Sequence, residues 1–420
     1  MKRRVSIYQV FPRVYSKNGK LNDVTNDIKR IADMGFDYLY LLPVHPIGKV
    51  GRKGDLGSPY AIADYMEINE EIGTLEDFKN LLHVAHENGL KVIMDIVINH
   101  TANDTKWIDQ HPEYYYQENG KPFRKFADWS DVSDLNYDNP DLRKEIIKML
   151  EYWAKLGVDG YRCDVASGVP ADFWHEADKA VKAINPDFYW LAESTHLNFI
   201  SGNRRNGHKA ASDGELAQVF DTLYPYSFDR EFKDALSGKN LNVYATMLNY
   251  TYTELSTHVN ELMYLENHDQ PRIAEILKDN RQRMSNWLAF SFIYDGVAFV
   301  YAGQEAYNHI QPTLFDKVEV DWSKLDHEYE KEIKHLNTLR KEILDGVLDC
   351  EVKGDNALKV SLYHKEYLNY GVFDVNDVKG DIEVEIEDGV YTNILDGNTF
   401  KVSDGKISSN LCPVLVKVPR

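Results

Sequence analysis

Four short stretches of the chain carry ionisable side chains inside or just after apolar runs. "DIVINH" contains Asp95, Asn99 and His100, "GYRCDVA" contains Arg162 and Asp164, "WLAES" contains Glu193, and "ENHDQPR" contains His268, Asp269 and Arg272. In a β-strand, residues two apart share a face, so Arg162 and Asp164 point one way and Cys163 the other. Parallel strands are covered on both faces and are normally Val, Ile and Leu. Charges on such a strand demand partners, because burying them unpaired is costly. Singly, each group has an ordinary structural reading: an ion pair, a core histidine or a helix-cap neighbour. Together they combine the carboxylates Asp164, Glu193 and Asp269 with an arginine and two histidines at the ends of separate strands. Metal-assisted hydrolysis needs a cluster such as His-x-His or three histidines plus a carboxylate, which is absent. A serine nucleophile would sit in a G-x-S-x-G turn, also absent. Paired carboxylates around a bound sugar are the chemistry that remains.

The elements that would hold these residues follow a repeating grammar. In "TLEDFKNLLHVAHENGLKVIMDIVINH", Thr74 and Asp77 form a capping box, and Phe78, Leu81, Leu82 and Ala85 make a helical stripe. Asn88-Gly89 stops that helix, and Leu90–Ile98 reads as a strand buried on both sides. "NPDLRKEIIKMLEYWAKLGVDGYRCD" repeats the pattern, with Asn139 as cap, Pro140 in the first turn and Gly157 as the stop. Further strands are expected at Val5–Phe11, Tyr38–Leu42, 160–164, Phe188–Ala192, Thr222–Tyr224, Leu262–Leu265 and Val297–Tyr301. Eight strands alternating with helices predict an α/β fold, a (β/α)8 TIM barrel over 1–345. A doubly wound sheet is the structural rival, but no G-x-G-x-x-G or P-loop pattern opens a helix. A short insertion at 101–137 follows the third strand. Past 346, alternating runs such as "ALKVSLYH" and "VLVKV" between turn residues predict a C-terminal antiparallel β-sandwich, 346–420.

Bulk properties narrow the partners. A formal net charge of −19 and a pI near 5.2 argue against nucleic acid, which needs a basic face. No apolar run approaches the ~20 residues of a membrane span. Gln9 and Arg13 interrupt any signal-peptide core, and Cys163, Cys350 and Cys412 make no disulfide or zinc framework. The expectation is a reduced, cytoplasmic protein that binds neither membrane nor nucleic acid, with its oligomeric state open. The 27 tyrosines and 7 tryptophans suit stacking on apolar faces of a ligand.

The four stretches, taken as a set, resemble the α-amylase family of glycoside hydrolases (family 13), and the resemblance runs over almost the whole chain. "SDLNYDNP", "YQVFPRVYS", "GSPYAIADY" and "GVAFVYAGQE" are similar to further conserved regions of that family. The resemblance implies Asp164 as nucleophile, Glu193 as general acid/base and Asp269 as the carboxylate that stabilises the transition state. It implies that Arg162, supported by Asp95, orients and ionises Asp164, and that His100 and His268 hydrogen-bond the sugar above Tyr60. Asp95, Arg162 and Arg272 are counted with Tyr60, His100 and His268 as substrate-binding. The physical reading agrees: a cation within ~4–6 Å depresses a nucleophile's pKa, and an acid beside other carboxylates is raised.

The chain also departs from the family pattern. Many members follow the nucleophile with a Lys-His pair that helps build a calcium site; here the residues are Ser167 and Gly168. "SKNGKLNDV" lacks the acidic calcium loop, and Asn99 alone cannot supply the roughly six to eight oxygens that calcium takes. No cofactor, and no calcium, is expected. Val165 and "NHDQPR" resemble the α-1,6-acting oligosaccharide glucosidases, whereas the short insertion favours an open or half-open cleft. The preferred reading is a retaining hydrolase of α-1,4 bonds in maltooligosaccharides, α-amylase-like or maltogenic. The alternatives are an oligo-1,6-glucosidase or other α-glucosidase, a glucanotransferase, and an inactive carbohydrate-binding barrel. A phosphate-binding barrel lacks its glycine-rich loop after the seventh or eighth strand.

Overall fold

The computed structural model describes residues 4–125, 128–255, 258–344 and 348–420. Eight parallel strands close a barrel: β1 (Ser6–Val10), β2 (Tyr38–Leu41), β3 (Lys91–Ile96), β4 (Gly160–Cys163), β5 (Tyr189–Ala192), β6 (Thr222–Leu223), β7 (Asn260–Met263) and β8 (Val297–Tyr301). Each pairs with its chain neighbours, and β8 returns to β1. Their side chains are buried almost throughout, as expected for strands covered by helices outside and packed side chains within. The helix Leu75–Glu87 starts at the Thr74/Asp77 capping box, and Pro140–Leu156 starts at Asn139 and ends at left-handed Gly157. Trp153 on the second helix is fully buried and donates to Tyr65 O at 2.9 Å, tying that helix to the segment after β2.

Most strands end within one residue of the sequence reading, and two are shifted by two residues at an end. The third ends at Ile96 instead of Ile98, because the chain turns outward: His100–Ala102 pairs antiparallel with Val132–Asp134, placing His100 opposite Asp134. The seventh runs Asn260–Met263, two residues earlier than Leu262–Leu265, because Asn260 already pairs with Thr222. His268 and Asp269 therefore lie on a loop beyond the strand, not at its tip.

After the helix His327–Ile343, a four-stranded antiparallel sheet forms from β9 (Asp349–Gly354), β10 (Leu358–Tyr363), β11 (Tyr367–Phe373) and β12 (Val414–Pro419). The expected domain boundary at 345/346 lies outside the described residues. One face of this sheet, with Leu358, Val360 and Leu362, joins the main core. The other packs Tyr370, Val372, Val414 and Val416 against Ile382, Phe400, Val402 and Ile407 of two antiparallel strand pairs, one nested within the other in sequence, completing a small sandwich. Asn249 holds the edge strand β9 by accepting from Val352 N at 2.9 Å and donating to Val352 O at 2.8 Å. An otherwise open sheet edge is thereby covered by the barrel's helix Leu241–Glu254.

Candidate active site

Strand register builds the floor of the site. Asp95 on β3 lies beside Arg162 on β4, so their side chains enter the barrel mouth together. Arg162 Nη1 donates to Asp95 Oδ1 and to Asp164 Oδ1, each at 3.0 Å, and Nη2 lies 3.0 Å from Glu193 Oε2. The hydroxyls of Tyr40 and Tyr60 donate to Asp95 Oδ2 at 2.6 and 3.0 Å. One permanently charged guanidinium, itself fully buried, thus serves three carboxylates.

The backbone past the strand ends fixes the reacting groups. Asp164 N donates to Ile96 O, Glu193 N to Cys163 O, and Ala166 N to Glu193 O, so the ladder continues into the site. Val165 adopts φ 41°, ψ 47°, a left-handed conformation that opposes a β-branched side chain. That turn aims its N–H at Glu193 Oε2, 2.7 Å away. Because Oε2 faces this donor and Arg162, a proton on Glu193 belongs on Oε1. Asp164 shows the same division: Oδ1 is held by Arg162, while Oδ2 has no hydrogen-bond partner among the described residues and lies 3.9 Å from His100 Nε2.

Tyr60 forms the opposite wall. Its hydroxyl is 2.6 Å from His268 Nε2, and the two rings stack with centroids 5.6 Å apart. His268 Nδ1 lies 2.9 Å from Gln9 Nε2, and Nε2 lies 3.1 Å from Asp269 Oδ2. The resulting cleft, about 250 Å3, is lined by Asp164, Glu193, Asp269, Tyr60, His100 and the indole of Trp129, among others. These four stretches, distant in sequence, meet at the carboxyl ends of the strands.

Burial pushes the Asp164 carboxyl well above its usual range of about 3.8, the Glu193 charge adds to this, and Arg162 opposes it. Arg162 alone was expected to hold Asp164 low; one cation shared among several buried carboxylates is not enough. Burial also raises Asp269, but His268 and then Arg162 outweigh it, leaving Asp269 below the usual carboxylate range. Burial lowers His100, with Asp134 and Asp131 opposing. Asp269 therefore favours its anion, while burial and the Glu193 charge favour the protonated form of Asp164.

Four of the expected substrate contacts lie behind the cleft lining. Asp95 and Arg162 are fully buried beneath the cleft, behind Tyr60, Asp164 and Glu193, which line it. Arg272 is 1% exposed and lies outside the cleft lining. It donates to Glu266 Oε1 at 2.5 Å and Ala302 O at 3.1 Å and stacks on Tyr301 at 4.2 Å, bracing the His268–Asp269 loop against β8. His268, also 1% exposed, sits behind Tyr60 and Asp269. Gln9, Tyr40 and Trp129 were not singled out from sequence. Gln9 interrupts an apolar strand, a signal of a polar partner inside the barrel; Trp129 lies in an insertion without periodicity and left none.

The residues around Asn99 bear on the calcium site that many members of the resembling family build. Asp134 is engaged there by Lys125, whose Nζ lies 3.7 Å from Oδ1 and whose N–H donates to Oδ2 at 2.8 Å. Among the described residues, no group of three His, Cys, Asp or Glu side chains is placed to hold a metal. A divalent cation beside Asp134 would meet the Lys125 ammonium.

Residues 9–343 match the family described as "Alpha amylase, catalytic domain", and residues 349–416 match "Bacterial Alpha amylase C-terminal domain". An alpha-amylase of Lactobacillus plantarum, known from its crystal structure, is 38% identical with a TM-score of 0.93, over 99% of this chain and 98% of that one. A noncanonic maltogenic alpha-amylase of Thermotoga neapolitana is 30% identical with a TM-score of 0.87, over 99% of each chain. Alpha-amylase 3 of Dictyoglomus thermophilum is 27% identical over 71% of this chain and 63% of its own length, so this chain spans under two thirds of that relative. Barrel, cleft and C-terminal sheet are matched together, and the chain belongs to the α-amylase family of glycoside hydrolases.

Proposed function

We propose that this protein is a retaining glycoside hydrolase that cleaves α-1,4-glucosidic bonds of maltooligosaccharides through a covalent glycosyl-enzyme. The reading is carried by the division of oxygens on two adjacent carboxylates: Arg162 fixes Asp164 Oδ1, leaving Oδ2 for attack, and Val165 N–H fixes Glu193 Oε2, leaving Oε1 for the proton. Asp164 Oδ2 bonds to the anomeric carbon as the glycosidic C–O bond breaks, and Glu193 Oε1 gives its proton to the leaving oxygen. Glu193, now anionic, takes a proton from water; the water oxygen bonds to the anomeric carbon and the Asp164 ester breaks, so the anomer is retained. Asp269, held as an anion, opposes the positive charge that develops on the sugar in both steps. The first step needs Asp164 ionised and Glu193 carrying its proton, and Arg162 favours the Asp164 anion.

Tyr60, Trp129 and Phe315 offer aromatic faces to a glucosyl chain in this cleft. No calcium takes part in this reading. A cytoplasmic, reducing setting is supported by Cys163, Cys350 and Cys412, all buried and none in a disulfide. Among the described residues, no helix is long and apolar enough to cross a membrane.

Proton NMR of the first products released from maltoheptaose tests the mechanism. The α-anomer is expected before mutarotation; β-anomer as the initial product would overturn the double displacement. The same digest with added maltose separates hydrolysis from transfer, since longer products in place of shorter ones would assign the intermediate to a sugar acceptor.

A further inference from the structure

Lys125 is a buried cation that the reaction above does not use. It lies on the insertion between β3 and β4; its side chain is 5% exposed, and that of Asp134 beside it 0%. Its ammonium also sits 5.0 Å from the Tyr116 ring centroid. A buried ion pair is a weak source of stability, because desolvating both charges offsets their attraction. The next contact shows what else the pair does. Asp134 Oδ1 accepts from Asn99 Nδ2 at 3.3 Å, and the same Nδ2 lies 3.1 Å from His100 Nδ1. An ionised carboxylate only accepts hydrogen bonds, so it compels Asn99 to present its amide nitrogen, not its oxygen. A ring nitrogen facing a donor must carry a lone pair, so the proton of neutral His100 resides on Nε2. That atom lies 3.9 Å from Asp164 Oδ2, and the ring also interacts with the Tyr60 backbone.

We propose that Lys125 is a positioning residue: by pairing with Asp134 it holds that carboxylate as the acceptor that orients Asn99, which locks His100 in the Nε2–H tautomer and makes His100 a donor toward the nucleophile and the bound sugar. The proposal rests on the cleft reading above. Without the ammonium, the buried Asp134 carboxylate loses its cation, an arrangement that a buried charge does not tolerate. A protonated Asp134 donates, Asn99 turns its oxygen inward, and His100 moves its proton to Nδ1. Nε2 then faces Asp164 with a lone pair, which repels the nucleophile. Gln9 beside His268 has no such anchor: Gln9 Oε1 has no hydrogen-bond partner among the described residues.

The test reads the tautomer directly. Full-length protein is labelled with 15N-histidine, and the His100 ring signals are identified by their loss in His100→Gln. Long-range proton–nitrogen spectra are expected to show Nε2–H in the wild type and Nδ1–H or a mixture in Lys125→Met, with the wild-type pattern recovered in Lys125→Arg. On maltoheptaose, Lys125→Met is expected to lower kcat by about 10-fold or more, and to cause no further loss in a His100→Gln background. If the methionine variant fails to fold, Lys125→Gln is read the same way. Nδ1–H in the wild type, an unchanged tautomer in the variant, or additive losses of kcat would overturn the proposal. The spectra need no turnover, so an inactive wild type would sink the hydrolase reading and leave the tautomer result to stand or fall on its own.

Discussion

In the barrel, inward positions toward the strand ends are Gln9, Tyr40, Asp95 and Arg162, all fully buried. In the C-terminal sheet, the positions that face the core along β10 are Leu358, Val360 and Leu362, also fully buried. The strand geometry is alike; the side chains are opposite in kind. Apolar burial contributes stability at roughly 25 cal/mol per Å2 whatever the neighbour. Buried charge is tolerated only through specific partners, and here Arg162 supplies them to Asp95, Asp164 and Glu193 at 3.0 Å each. The C-terminal sheet is optimised for packing, whereas the barrel mouth accepts an unfavourable interior in exchange for chemistry.

Arg162→Met attacks that contrast most severely. It leaves three carboxylates without their cation, so we expect turnover to fall to background and stability to drop by about 3–5 kcal/mol in denaturant titration. A variant as stable as the wild type would mean that the pairing is not what makes the charged floor tolerable.

Glu193→Gln is expected to slow maltoheptaose hydrolysis by about 10²–10⁴-fold, while a substrate with an acidic phenol leaving group still forms the glycosyl-enzyme. The pH profile sharpens the point. The Glu193 charge raises Asp164, so removing it favours the Asp164 anion, and the acidic limb of the aryl-substrate profile should move to lower pH. A limb that stays in place or moves upward would show that the Glu193 charge does not raise Asp164.

On the apolar side, Ile382→Val trims a fully buried methylene between the two strand pairs and the sheet. It should cost about 0.5–1.5 kcal/mol and leave kcat unchanged. A change in kcat would break the division of labour between the two regions. The smallest expected effect is none: dialysis against EDTA should alter neither activity nor melting temperature, since Lys125 occupies Asp134. Loss of either, restored by calcium, would reveal a site formed by other residues.

The frame was legible because period and punctuation are local. The capping box at Thr74, the Asn139 cap and the Gly157 stop act over a few residues, and all formed as read. The eight apolar runs became the eight barrel strands, with ends shifted where pairing partners decided. The cleft residues were legible as a set, because several ionisable strand ends have no cheap structural explanation.

What each residue does inside that set was decided by contacts between distant segments. Arg272 was read as a substrate contact, and Glu266 together with the Ala302 carbonyl made it a brace. Asp164 was expected to be held low, and enclosure with Glu193 raised it. Lys125 gave no signal in an aperiodic insertion, yet it reaches Asp134 and, through Asn99, His100. The sequence by itself determined the strands, the helices and which side chains gather at the barrel mouth, because those follow from periodicity, caps and the alternation of side chains along a strand. Protonation states, tautomers and the sharing of one arginine among three carboxylates belong to the tertiary structure, because desolvation and hydrogen-bond geometry exist only once the segments have closed around one another.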